Sequence, residues 1–471
     1  MFFGKRSNWI FLFVSVFLVL TVSAIVLICL FLPGSLNSDP DASGDPGSRI
    51  DFPENGELLN WSSDLYFDYA HRYDPAKYDV LYGVDISEWN EMELDDWEDI
   101  KAAGIDFVFL RAGFRGYGEE GNLLNDSCFA EYFAAARAAG LKIGCYIYSQ
   151  AINEAEIREE AQLVLDALGG QALEMPVVLD CEFASAEAGY GRLYNAHLSP
   201  QEYAGLCNLF ADIIRDAGYI PMIYGGTKMF SENIDTSLLA PDILLWVAQY
   251  YKNCQYVGSD YSFWQFTDSG EVDGVSHSMD FNFWYVPRSA FADGEDRIEC
   301  ALRSLRDPHP YSKIAYTDVD AASPYYSAIT FMTDAGMLLP VDGAEYEQNQ
   351  LATTHDLLYT LYKLSRSELS PEEWVAEAGF GGFSENTQLD YSLLAQMCYQ
   401  YLAGWDTGFR AERSGHAAEQ EDRYVTWMTE HGLMFEEDVD PEQKVSRGEY
   451  AVLMMDFYRD VGFCMIEKET S

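Results

Sequence analysis

Met175-Pro176-Val177-Val178-Leu179-Asp180-Cys181-Glu182 is the stretch on which the fold turns. Its unbroken apolar run suits a parallel β-strand covered on both faces. Side chains alternate along a strand, so Asp180 and Glu182 point to one side and Cys181 to the other. Two carboxylates on one face at the end of a buried strand are costly to desolvate. They are either acids at a solvated strand terminus, capping a helix or pairing with Arg, or a catalytic pair. The stretch alone does not choose between them.

Working outward, seven more apolar runs flank it: Tyr82–Ile86, Phe107–Leu110, Lys142–Tyr148, Ile220–Tyr224, Ile243–Gln249, Ser262–Phe266 and Met279–Trp284. Helical patterns separate the early ones, at Leu94–Ala103, Phe129–Ala139, Ala155–Leu168 and Pro200–Ala217. The last three strands follow too closely for full helical crossovers. Strands alternating with helices predict an α/β architecture. With eight strands and about five helices, this one is an irregular TIM-like β/α barrel, whose site belongs at the C-terminal strand ends. Polar residues gather at those ends: Asp85 after the first strand, Arg111 after the second, Tyr146 and Tyr148 on the third. Tyr224, Trp246, Trp264 with Gln265, and Asp280 with Asn282 complete the ring. Carboxylates ringed by aromatic faces suit a carbohydrate, whose rings stack on flat apolar surfaces while the acids do proton chemistry.

Four segments carry a resemblance: Gly83-Val84-Asp85-Ile86-Ser87-Glu88-Trp89-Asn90, Ala102-Ala103-Gly104-Ile105-Asp106-Phe107-Val108-Phe109-Leu110-Arg111-Ala112-Gly113, Pro176–Glu182 and Met279-Asp280-Phe281-Asn282. In order and spacing they resemble glycoside hydrolase family 25, the Chalaropsis-type muramidases (lysozymes), over roughly Tyr82 to Pro287. The resemblance implies a barrel with fewer helices than strands and a peptidoglycan substrate. It implies Glu182 as general acid, Asp180 as partner carboxylate, and Asp85 and Asp280 as further acidic positions. Tyr146, Tyr148, Tyr224, Trp246 and Trp264 would line the glycan groove. No cofactor is implied. A second step through Asp180 as nucleophile, or through the sugar's own acetamido group, stays open. A barrel that binds glycan without cutting it is the alternative reading.

The rest of the chain fixes context. Its 471 residues predict two or three domains. The net charge of −48, from 77 acidic against 29 basic residues, argues against a nucleic-acid partner. Nine scattered cysteines form no CxxC pair, so neither a zinc site nor a disulfide framework is signalled. Residues 10–32, Ile10 to Leu32, are an uncharged run of the length a membrane helix needs, about 20 residues. Lys5 and Arg6 before it and acids after it place residues 1–9 in the cytoplasm and the remainder outside. A cleaved signal would have a shorter apolar core and a small-residue cleavage site. Residues 33–79 read as a tether, 80–287 as the barrel and 288–311 as a linker.

Residues 312–471 repeat a pattern of helix, Gly, acidic loop and helix three times, at a period near 50 residues. This helical region resembles surface-layer homology repeats, most closely at Tyr316-Thr317-Asp318-Val319 and Ser446-Arg447-Gly448-Glu449. The resemblance implies a secondary wall polymer as partner, with Arg447 as its anion-binding residue. Thr354 stands where the first repeat would carry its Arg, and Leu389-Asp390-Tyr391 lacks the motif. The acidic loops at Asp318/Asp320 and Glu436–Asp440 do not meet calcium spacing.

Overall fold

The protein is described by a computed structural model over residues 59–60, 69, 71–306, 316–339, 345–367, 369–384, 386–405, 423–430, 432–435 and 439–462. The predicted membrane span, Ile10 to Leu32, lies outside them. Among the described residues no helix is long and apolar enough to cross a membrane.

Every predicted apolar run is a strand: β1 (Tyr78–Ile86), β2 (Phe107–Arg115), β3 (Lys142–Ser149), β4 (Val177–Cys181), β5 (Pro221–Gly226), β6 (Leu244–Ala248), β7 (Phe263–Glu271) and β8 (Met279–Pro287). They pair in that order, and β8 closes on β1. β1 to β7 run parallel, whereas β8 is antiparallel to both neighbours. That reversal is why no helix is needed between β7 and β8. It also corrects the expected placement: Asp280 and Asn282 lie at the start of their strand, and only an antiparallel β8 brings them to the rim where the other strands end.

Helices α1 (Asp96–Ala102), α2 (Phe129–Ala138), α3 (Glu154–Leu168), α4 (Gly191–Asn195) and α5 (Pro200–Asp216) cover the outside. Asn153 caps α3, and a Ser199/Glu202 capping box opens α5, satisfying backbone N–H groups that a helix start leaves unpaired. The segment after Glu182 contains a 3-10 turn (Ala186–Ala188) and α4. Inside the barrel, Phe107, Phe109, Phe263, Trp246 and Trp284 pack together. Gly83 makes room for them: a Cβ there would meet the Phe107 ring at 2.1 Å. Gly83→Ala is expected to cost about 1–3 kcal/mol by overpacking, measured by chemical denaturation; an unchanged midpoint would refute the close approach.

α6 (Arg297–Ser304) follows β8, and among the described residues six further helices form a second core. They are α7 (Tyr326–Asp334), α8 (Thr354–Leu364), α9 (Pro371–Glu377), α10 (Tyr391–Trp405), α11 (Arg423–Glu430) and α12 (Arg447–Val461). They fall into three pairs. After α7, α9 and α11 a glycine takes positive φ (Gly336, Gly379, Gly432), the left-handed stop that glycine adopts most easily. Before α8, α10 and α12 stand Thr353, Asp390 and Ser446, each accepting a backbone N–H in the first turn. The segments before those helices meet in a ring: Ala352 N–H donates to Val445 O, Val445 N–H to Leu389 O, and Leu389 N–H to Ala352 O.

Two charged residues of this region have partners within the chain. Arg447 does not stand free, because it lies over the Tyr346 ring and 3.7 Å from Asp356. Asp318 accepts the N–H groups of Tyr346 and Glu347 at 2.7 Å each, so it pins a loop. Glu436–Asp440 lies partly outside the described residues.

Candidate active site

β-Strand alternation puts Val178 and Asp180 inside the barrel and Leu179 and Cys181 against the outer helices. Cys181 thereby packs with Tyr203 and Cys207 of α5 in the outer core. Glu182 follows at the rim. Its carbonyl accepts a 2.7 Å bond from Nε2 of Gln150, whose side chain is fully buried and also meets Tyr148. Glu182, Tyr224, Gln249 and Tyr250 share the wall of a cavity of about 290 Å³.

Asp85 and Asp280 are direct partners across the β1–β8 pairing. One amide bridges them: Gln265 Nε2 donates to Asp85 at 2.9 and 3.1 Å and to Asp280 at 2.9 Å. Asn282 Nδ2 adds a 2.7 Å bond to Asp85, and Trp246 Nε1 donates to Asn282 at 2.8 Å, fixing that amide's orientation. The hydroxyls of Tyr224 and Tyr250 donate to Gln265 Oε1 at 2.7 and 2.9 Å. Asp180 neighbours Tyr148 and Tyr224 in register on β3 and β5, and its Oδ1 is buried without a hydrogen-bond partner.

Four carboxyls around one poorly hydrated space do not all ionise. Burial, and then the Asp85 charge, push Glu182 up to about 7. Burial pushes Asp85 up to about 6 against the opposing pull of the Asn282 and Gln265 amides. Asp180 is held well above the usual carboxylate range by burial and then Glu182, and Asp280 by burial and then Asp85. The nearest cation, Arg111, is already engaged by Asp126 at 2.8 Å and Glu88 at 3.2 Å. The arrangement therefore holds a protonated Glu182 near neutral pH beside a cavity. That is the condition for donating a proton to a leaving oxygen.

Not every aromatic expected in the groove is there. Trp264 is fully buried on the outside of the barrel against Tyr69, His71 and Phe283, with its Nε1 donating to Gln249 O. The same alternation that turns Gln265 inward turns Trp264 out. Trp246 does point inward, but it is only 2% exposed, stacked on Phe109 below the site. Tyr146, Tyr148 and Tyr224 remain around the acids. Gln265, Asn282 and Tyr250 had no assigned role from sequence, although period-2 counting from Trp264 and Asp280 marks the two amides as inward. Trp89, 77% exposed just beyond β1, is an aromatic face open to solvent at this rim. Among the described residues no three His, Cys, Asp or Glu side chains are arranged so that they could hold a metal ion.

Residues 84–275 match the family described as Glycosyl hydrolases family 25. The chain is 26% identical over 202 residues to the autolytic lysozyme of Clostridium acetobutylicum, covering 43% of this chain and 55% of that protein. It is 26% identical over 221 residues to lysozyme M1 of Streptomyces globisporus, covering 44% of this chain and 69% of that one. The chain thus spans about half the length of the first of these relatives. Among solved structures, the bacterial lysozyme from Streptomyces coelicolor is similar with a TM-score of 0.36 and 19% identity, over 48% of this chain and 98% of that one.

Proposed function

We propose that the barrel, which over residues 84–275 belongs to glycosyl hydrolases family 25, is a muramidase that hydrolyses the β-1,4 bond between N-acetylmuramic acid and N-acetylglucosamine in peptidoglycan. The observation that carries this reading is the convergence of Asp85, Asp180, Glu182 and Asp280 on one rim, with Glu182 raised to about 7 at the cavity wall. Glu182 protonates the glycosidic oxygen. Asp85, held by the Gln265 and Asn282 amides, supplies the negative charge that keeps that proton on Glu182 and stabilises positive charge developing on the sugar. Asp180, on the same strand face as Glu182, is the partner carboxylate, acting either as nucleophile or by orienting the sugar's own acetamido group. The test is release of new reducing ends from purified peptidoglycan, carrying muramic acid at the new terminus; glycan of undiminished length would refute the reading.

Trp89 serves as a stacking face for a sugar of the strand. Trp89→Ala is expected to raise KM roughly 5-fold, the equivalent of about 1 kcal/mol, with kcat nearly unchanged. A change in kcat alone would remove Trp89 from substrate binding.

Membrane attachment through residues 10–32, with the barrel outside the cell and acting on the cell's own wall in remodelling, is part of the same proposal. The uncharged run with Lys5 and Arg6 before it supports it. Recovery of the intact chain in the membrane fraction after alkaline washing tests it, and a mature N-terminus beyond Pro33 would overturn it. A wall polymer at Arg447 would have to displace Asp356 and Tyr346.

A further inference from the structure

The connection from β6 to β7 begins at the catalytic rim and ends at the opposite mouth of the barrel, because the two strands are parallel. Its first two residues, Gln249 and Tyr250, line the cavity beside Glu182. Tyr250 reaches Gln265, the amide that holds Asp85 and Asp280. Residues 249–262 contain no helix of their own, so something else has to hold them in place.

The barrel supplies part of the hold, with Gln249 N–H donating to Gln265 O at 3.1 Å and Trp264 Nε1 to Gln249 O at 2.9 Å, and the helical module supplies the rest. Gln249 and Gln255 form a reciprocal pair: Gln255 N–H donates to Gln249 Oε1 at 2.7 Å, and Gln249 Nε2 donates to Gln255 Oε1 at 3.0 Å. Gln255 then uses its own Nε2 to donate to the Arg459 carbonyl of α12 at 3.0 Å. One residue earlier on each side, the Tyr458 hydroxyl donates to the Cys254 carbonyl. Val257 packs against the helical core. Further along, Arg72 is ion-paired with Asp260 at 2.7 Å and lies 4.3 Å from the Phe331 ring centre on α7.

We propose that Gln255 is a positioning residue for the barrel's reaction. Through it, α12 fixes Gln249 and Tyr250 in the cleft, so the helical module helps build the active site whatever else it binds. The proposal rests on the muramidase reading for its kinetic consequence but not for the clamp itself. A displacement of about 1 Å at a reacting group is enough to slow catalysis strongly, and the chain of contacts ends one side chain from two of the four acids.

The experiment uses the full chain, a soluble peptidoglycan oligosaccharide so that attachment to whole walls plays no part, and amide hydrogen exchange over residues 249–256. Gln255→Leu is expected to speed exchange there about 10-fold while exchange in β4 and α5 stays as in the wild type. It is expected to lower kcat roughly 5-fold with little change in KM. Gln255→Glu keeps the oxygen that Gln249 needs and removes only the donor to Arg459, so it is expected to behave like Gln255→Leu. In a Tyr250→Phe background the Gln255 change should add less than about 2-fold, because both act on one path. Wild-type exchange and kinetics in Gln255→Glu, or fully multiplicative effects with Tyr250→Phe, would overturn the proposal. A wild-type chain that cuts no glycan would remove the muramidase reading, and the exchange comparison alone would then decide the clamp.

Discussion

On the muramidase reading, Glu182→Gln is expected to lower kcat/KM on purified peptidoglycan by about 10²–10⁴-fold, roughly 3–5 kcal/mol of transition-state stabilisation, because Gln keeps the shape but has no acidic proton to give. In the wild type, activity falls as pH rises through about 7, where Glu182 loses that proton; the small residual rate of the variant lacks this limb. Stability moves the other way. A carboxyl raised to about 7 in the folded state favours folding fully only below its ordinary unfolded value, about 4.3, and that contribution is lost as pH rises through about 7. Removing the titrating group therefore makes the variant at least as stable as the wild type at pH 8, so lost activity there does not reflect lost fold. A variant that keeps more than about a tenth of the rate would move proton donation to another group.

The barrel was legible in the sequence because its interior strands are covered on both faces, and continuous apolar runs are the strongest pattern such strands leave. The direction of β8 was not, since a run such as Met279–Trp284 reads the same whichever way it pairs. Helix ends were recovered where local chemistry marks them, at Pro200 behind Ser199 and at Leu168 before Gly169. The helix pairs of the C-terminal region were visible through their glycines, but the hydrogen-bonded ring at Ala352, Leu389 and Val445 joins residues tens of positions apart and leaves no local trace.

Within the site, the acids were legible and most of their supports were not. Asp180 and Glu182 end an apolar strand, which is unusual enough to notice. Gln265 and Asn282 are neutral, and nothing in their own chemistry shows which carboxylates they will meet. Trp264 was assigned to the groove on residue type alone, and strand alternation overrules residue type. Tyr250 was missed for a different reason. It lies past the end of β6, and its position is set by contacts with Gln265 and, through Gln249 and Gln255, with α12.

Arg115→Met is expected to destabilise the chain by about 3–5 kcal/mol at pH 8, the cost of removing one partner from a buried ion-pair and hydrogen-bond network. Arg115 Nε donates to Glu160 Oε1 at 2.7 Å, and its other nitrogens reach Gly121 O, Glu156 O and Glu159. Glu160 has no solvent exposure; its second oxygen accepts from Ser149 Oγ at 2.7 Å, and burial holds it at about 7 even with Arg115 present. Without the guanidinium, Glu160 stays neutral to higher pH still. The two chains differ least below about pH 4.3, where Glu160 is protonated folded or unfolded, and the gap widens as pH rises past about 7. Adding Glu160→Gln removes the titrating carboxyl and is expected to recover the pH-dependent part of the loss, at most about 1.4 kcal/mol at pH 8 for a group that titrates near 7. Denaturation of the single and double variants at pH 5 and pH 8 reads this directly, and a penalty equal at both would exclude a stranded carboxylate as its cause. The consequence reaches the active site, because Ser149 is followed by Gln150, the side chain that holds the Glu182 carbonyl. A barrel that crowds four carboxyls at its rim needs a firm support behind the strand ends that carry them, and the Arg115–Glu160–Ser149 network provides it next to β3 and β4.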